Sequence, residues 1–210
     1  MYTYLYERKV MMMLLKMLFT LYACIVFVNN WRSYGLQNFL WMSDIGFFLT
    51  VAAVWIESPL LISMCIASFL AVEILWNVDF FIALILGKKM TGLSDYMFES
   101  RYSLVVRSLS LFHVLLPTLW VGLAFYWGYD VCALYYAVPM IWITLIMTYL
   151  CTEPSANINW VFAPTVLKWK RVTQMTWLII MLIGYPLLIC WPTHMIFKYM
   201  VRVEKESCMT

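Results

Sequence analysis

Apolar residues run in six stretches of membrane-spanning length along this chain, at about 10–28, 39–56, 60–86, 102–127, 131–151 and 174–196. A helix needs about 20 predominantly apolar residues to cross the hydrocarbon core, so each stretch predicts one transmembrane helix. Polar punctuation separates them: Asn29 to Gly35, Glu57-Ser58-Pro59, Gly87-Lys88-Lys89, Gly128-Tyr129-Asp130, and a long irregular loop from Thr152 to Arg171. The short connection around Pro59 forces spans two and three into a tight antiparallel hairpin. Residues 90–101 mix Asp95, Glu99 and Arg101 with Leu93, Tyr96, Met97 and Phe98, a pattern that predicts a short helix lying in the interface. Pro186 and Pro192 predict a bend in the last span, and a charged tail follows from Lys198. The expected fold class is all-α, a polytopic membrane bundle of about six helices forming one transmembrane domain over 1–210.

Composition narrows the class further. At 65% hydrophobic and 12% charged, with a mean hydropathy of +0.84, the chain is not an ordinary soluble domain. Its eleven Trp and fourteen Tyr gather near the ends of the apolar runs, where amphipathic rings sit at headgroup level. A net charge of +3 from scattered basic residues excludes nucleic acid as a partner and suits a phospholipid surface. Cys24, Cys65, Cys132, Cys151, Cys190 and Cys208 stand singly without a C-x-x-C pair, so no zinc site or redox dithiol is suggested. The two histidines, His113 and His194, lie at different depths, which disfavours bis-histidine haem. No cofactor and no metal is expected. Glu7-Arg8-Lys9 before the first apolar run resembles a signal peptide, but Tyr22 fits a lipoprotein cleavage box poorly, and the run is read as an uncleaved first helix. Lys88, Lys89, Lys168, Lys170 and Arg171 in loops three and five place the odd-numbered loops in the cytoplasm, against the basic termini on the other face.

Ionisable groups inside such spans carry the functional signal, because a carboxylate at the bilayer centre costs at least about 2.5 kcal/mol and faces the protein interior or water. Asp44, Glu57, Glu73 and Asp79 lie in or at the rim of spans two and three. In span four Ser103, Arg107, Ser110, His113 and Pro117 step by three or four residues along one stripe. Asp44, Asp79 and Arg107 lie at shallow depth on the loop-three face, where Asn157 and Asn159 of loop five can join them; Thr50, Glu73 and His113 lie deeper. These arcs predict that three consecutive helices enclose one polar interior. Plainer readings stand beside it: Asp44, Asp79 and Arg107 as a buried ion pair with a spare carboxylate, and Thr50 bonded to its own backbone.

The segments Trp41 to Ile45, Phe48-Leu49-Thr50, Trp55 to Leu61, Trp76-Asn77-Val78-Asp79-Phe80, Leu109 to His113 and Asn157 to Val161 resemble a family of uncharacterised bacterial integral membrane proteins. That resemblance implies the bacterial cytoplasmic membrane and supplies no activity. More distantly, Phe48-Leu49-Thr50 in span two and His113 with Leu115-Leu116-Pro117 in span four resemble the six-span threonine and histidine lipid hydrolases of the androgen-induced membrane protein family, and related membrane acyltransferases. That likeness implies Thr50 and His113 as catalytic residues on an acyl lipid, by ester hydrolysis or acyl transfer. Asp44, Glu73, Asp79, Arg107, Asn157 and Asn159 are the binding or orienting candidates. The alternatives are a proton, cation or small-solute transport protein with a path through the carboxylates and His113, and a non-catalytic subunit of a larger membrane complex. Membrane lipids are the expected partners, with a membrane protein partner or a second copy of the chain open.

Overall fold

The computed structural model describes residues 2–162, 173–201 and 203–204. Its spanning elements are all helical: α1 (Tyr2–Tyr34), α2 (Met42–Ile56), α3 (Pro59–Leu86), α4 (Leu104–Leu109), α5 (Phe112–Trp127), α6 (Ala133–Cys151), α7 (Gln174–Tyr185) and α8 (Trp191–Met200). Five helical stretches are long and apolar enough to cross a membrane, namely Lys9–Tyr34, Pro59–Leu86, Leu104–Trp127, Ala133–Cys151 and Gln174–Met200, and Met42–Ile56 is a sixth, shorter apolar helix. Leu84, Ile85, Leu86, Ile143, Leu150 and Leu188 stand exposed on the outer face, where lipid is their natural solvent. Beyond the helices there is one minimal parallel pairing, β1 (Tyr129–Asp130) with β2 (Val203–Glu204), in register Tyr129 to Val203. Lys168, Lys170 and Arg171 of the expected basic loop, and the tail from Lys205, lie outside the described residues.

Several boundaries differ from expectation for local reasons. The first helix runs through the predicted polar turn to Tyr34 and stops at Gly35, whose φ of +77° suits glycine. It continues because Asn30, near its end, is buried against the second helix, where its side chain donates to Asp44. A short 3₁₀ turn, Leu36–Leu40, precedes α2, whose Met42 N–H is capped by Asn159 Oδ1 from loop five at 2.9 Å. The hairpin behaves as its residues demand. Glu57 takes the left-handed conformation, Ser58 caps α3 by accepting the Leu61 N–H, and Pro59 occupies the first turn. The interfacial helix expected over 90–101 is instead a set of turns with a 3₁₀ segment, Asp95–Phe98, folded over α3. Span four breaks at Ser110–Leu111 into α4 and α5, and the last span carries a π-helical turn, Pro186–Cys190, between α7 and α8.

Lipid is as apolar as leucine, so hydrogen bonds between helices and close packing hold such a bundle, not burial from water. The long third helix is the hub, touching α2, α5, α6 and α8. Around it Phe47, Val54, Ile62, Ile66, Phe69, Leu116 and Trp120 form the core. Gly46 permits the tightest approach: a Cβ there would meet Phe69 Cδ2 at 2.8 Å and Trp120 Cζ2 at 3.2 Å. Prolines create a second kind of tie. Pro186 removes the N–H that would bond the Leu182 carbonyl, and Trp142 Nε1 on α6 donates to that carbonyl at 2.7 Å. Tyr185 and Tyr22 likewise donate to the carbonyls of Ser68 (2.8 Å) and Leu109 (2.6 Å) on other helices.

Candidate active site

Pro117 sets the site's framework. It lies four residues after His113 and so cannot supply the backbone N–H that the His113 carbonyl would otherwise accept. Asn77 on α3 answers instead, its Nδ2 donating to the His113 carbonyl at 2.7 Å and to the Glu73 carbonyl at 2.8 Å. One amide thus fixes α5 against α3 at the level of Glu73 and His113. Four residues back on the same face of α3, Glu73 Oε2 meets His113 Nδ1 at 2.7 Å. The pair is buried near the middle of both spans, with Glu73 2% and His113 8% exposed.

Aromatic rings hold the imidazole flat. Trp76 stacks on one face with centroids 4.4 Å apart and Phe112 on the other at 4.2 Å. The column extends through Phe80 to Phe98 on the Trp76 side and to Phe47 beyond Phe112. With Nδ1 committed to a carboxylate and both faces covered, the ring's remaining function is Nε2, which meets no hydrogen-bond partner among the described residues. A carboxylate on Nδ1 that leaves Nε2 as the basic nitrogen is the orientation a histidine base needs.

Two further groups, one stacked on this pair and one toward loop three, lack partners. Buried native polar atoms are nearly always hydrogen-bonded, yet Trp76 Nε1 and Arg107 Nε are enclosed without a partner among the described residues. Tyr96, from the turns of loop three, packs on Trp76. Burial pushes its hydroxyl well above the ordinary tyrosine value, so it stays neutral. On the lipid-facing side a groove of about 460 Å³ runs between α3 and α5, lined by Ile74, Asn77, Val78, Phe81, Val114 and Pro117.

The other expected residues do different work. Thr50 does not meet His113: its hydroxyl donates to the Gly46 carbonyl at 2.6 Å and accepts from Trp120 Nε1 at 2.7 Å, so both its proton and a lone pair are engaged within the core. The threonine and histidine pairing implied by the distant resemblance is therefore not formed. Asp79 is bonded to loop three, accepting the backbone N–H of Thr91, Gly92 and Ser94 and the Ser94 hydroxyl. Asp44 accepts from Asn30 at 3.2 Å and Asn38 at 3.0 Å. The expected ion pair among Asp44, Asp79 and Arg107 is absent, because each acid is already answered and Arg107 Nη1 reaches only the Met97 carbonyl at 3.2 Å. Asn159 clamps loop five, donating to Leu40 and Thr148 while capping α2, and Asn157 Oδ1 accepts the Phe162 N–H. The acids and the imidazole do point inward, but onto amides and rings instead of around one shared hollow. Neither Trp76 nor Asn77 stands among the sequence candidates, and the Pro117 to His113 spacing is the signal that identifies Asn77.

The fold, with its belt of exposed aliphatic side chains and ionisable interior, defines a polytopic all-α integral membrane protein. Comparison of the chain with protein-family models, curated proteins and solved structures finds no match.

Proposed function

We propose that the chain is a membrane-embedded enzyme acting on an acyl lipid, by ester hydrolysis or acyl transfer, with His113 as general base. The observation that carries this reading is the 2.7 Å contact of Glu73 with His113 Nδ1, next to the unpartnered indole N–H of Trp76. Glu73 orients the imidazole and stabilises its protonated form. Nε2 takes a proton from water in hydrolysis, or from an acceptor hydroxyl in transfer. The resulting oxygen adds to the ester carbonyl, and the developing oxyanion accepts a hydrogen bond from Trp76 Nε1. The imidazolium then returns its proton to the departing alkoxide. The acyl chain reaches the site laterally along the α3–α5 groove, so the lipids of the surrounding membrane are substrate and solvent together. Thr50 has no part in this chemistry. We place the protein in the bacterial cytoplasmic membrane with its odd-numbered loops inside, in keeping with exposed Lys88 and Lys89 in loop three.

The test is turnover of a fluorescent fatty-acyl ester by protein reconstituted in nanodiscs. Glu73→Gln and His113→Gln are expected to lower the rate by roughly 10²- to 10⁴-fold, with elution volume and thermal midpoint showing that each variant folds. Full turnover by His113→Gln contradicts the assignment. A second reading, a proton path, is favoured by one observation: the buried Asp44 carboxyl group is bonded, among the described residues, only to two neutral amides. Loss of pH-driven flux in Asp44→Asn proteoliposomes, with no ester turnover in wild type, would transfer the function to that path.

A further inference from the structure

We infer that Arg107 binds the phosphate of a glycerophospholipid whose ester carbonyl lies beside His113, which narrows the substrate class of the site and rests on the general-base reading above.

Arg107 carries a charge that no anion among the described residues answers. Arginine stays protonated throughout the accessible pH range and presents five N–H donors. Only one protein acceptor meets the Arg107 guanidinium among the described residues, the Met97 carbonyl at 3.2 Å. Nε is enclosed and unpartnered, and Nη2 makes no hydrogen bond among those residues. The side of the fork formed by Nε and Nη2 is the one that pairs bidentately with phosphate or carboxylate oxygens. No carboxylate of the chain fills that role. Glu73 is bonded to His113, Asp44 to two asparagines, and Asp79 to four donors of loop three. Of the cations around loop three, Lys89 is paired with Asp95 at 2.6 Å and Arg101 with Glu99, while Lys88 is exposed. Arg107 is half-buried with no anion among the described residues, and such a cation is costly.

Depth then selects the anion. Arg107 is the fourth residue of the span that begins at Leu104, so it sits about 5 Å below the span's edge at 1.5 Å per residue. Lipid phosphates border the hydrocarbon core at that level. His113 lies deeper in the same span, past the break at Ser110–Leu111. A glycerophospholipid carries its charge and its scissile groups in that order, with the phosphate above and the acyl ester carbonyls a few bonds below. The two sites are also one structure. Met97, which accepts from Arg107, packs with Trp76 and Phe80, and Trp76 stacks on His113. A lipid anchored at Arg107 therefore presents its ester to Trp76 Nε1 and His113 Nε2, with the chain continuing toward the groove.

Binding tests this without relying on turnover. Purified protein in detergent is given equal amounts of phosphatidylglycerol and of diacylglycerol with the same two acyl chains, and native mass spectrometry reads which is retained. Wild type is expected to prefer phosphatidylglycerol by roughly tenfold or more, the value of a charge-assisted hydrogen-bonded pair. Arg107→Gln removes that preference. Arg107→Lys keeps the charge without the fork, so it retains part of the preference and shows that the loss is not misfolding. His113→Gln keeps the preference in full, which separates headgroup binding from the base. Excess inorganic phosphate is expected to leave the bound lipid in place; its displacement of the lipid would identify a soluble anion and overturn the lipid assignment. An undiminished preference in Arg107→Gln, or equal retention of the two lipids by wild type, overturns the proposal. Full turnover by His113→Gln would sink the base and leave this binding result standing.

Discussion

The two histidines of this chain sit in opposite kinds of surroundings. His113 faces a carboxylate, lies between two stacked rings, and has the enclosed, unpartnered indole N–H of Trp76 beside it. His194 on α8 faces the hydroxyl of Tyr129 at 2.9 Å, within a packed end of the bundle where Phe197 also lies against the tyrosine. Burial pushes the Tyr129 hydroxyl well above its ordinary value. The two rings thus meet opposite partners at Nδ1, a neutral phenol at His194 and a carboxyl group at His113. One leaves a basic nitrogen beside an unanswered donor; the other closes a structural contact between α8 and the loop before α6. The same side chain is thus set beside a carboxyl group and an unpartnered indole N–H in one place and into a packed helix contact in the other.

Variants can break that contrast, the largest effect first. His113→Ala is expected to lower ester turnover by roughly 10²- to 10⁴-fold, whereas His194→Ala leaves turnover nearly unchanged and lowers the thermal midpoint. Equal losses would erase the distinction. Trp76→Phe preserves a stacking ring but removes the indole N–H, and should cost about 10²-fold in kcat with little change in KM. Stability responds instead at the packed contacts. Gly46→Ala drives a methyl into Phe69 and Trp120 and should destabilise by about 1–3 kcal/mol, read by thermal unfolding in detergent. The smallest change belongs to the pair Lys16 and Glu57 on the opposite rim. Its carboxylate is half-exposed, so Glu57→Gln should shift stability by no more than about 1 kcal/mol and leave turnover untouched.

Much of the architecture was legible because lipid imposes length and composition on every span. The hairpin at Pro59 and the irregularity at Pro186 follow from local chemistry that needs no tertiary information. The site was legible only in outline. Glu73, His113 and Arg107 stood out as ionisable groups in apolar runs, but pairing depends on how α3 and α5 are rotated, which periodicity does not specify. Thr50 and Asp79 misled for the same reason. A hydroxyl in a helix has its own i−4 carbonyl within reach, as Thr50 has in Gly46, and a carboxylate near a helix end can collect the amides of the following loop, as Asp79 does. Loop three looked interfacial by composition. The grip of Asp79 on Thr91, Gly92 and Ser94 draws it over Trp76 instead.

Nitrogen-15 NMR of the protein with both histidines labelled addresses the core of this account most directly, since His113 and His194 are the only two in the sequence. The spectrum should contain a neutral ring protonated at Nδ1, assigned to His113 because Glu73→Gln alters it and Tyr129→Phe does not. Two rings protonated at Nε2, or a His113 signal indifferent to Glu73→Gln, would contradict the proposed base.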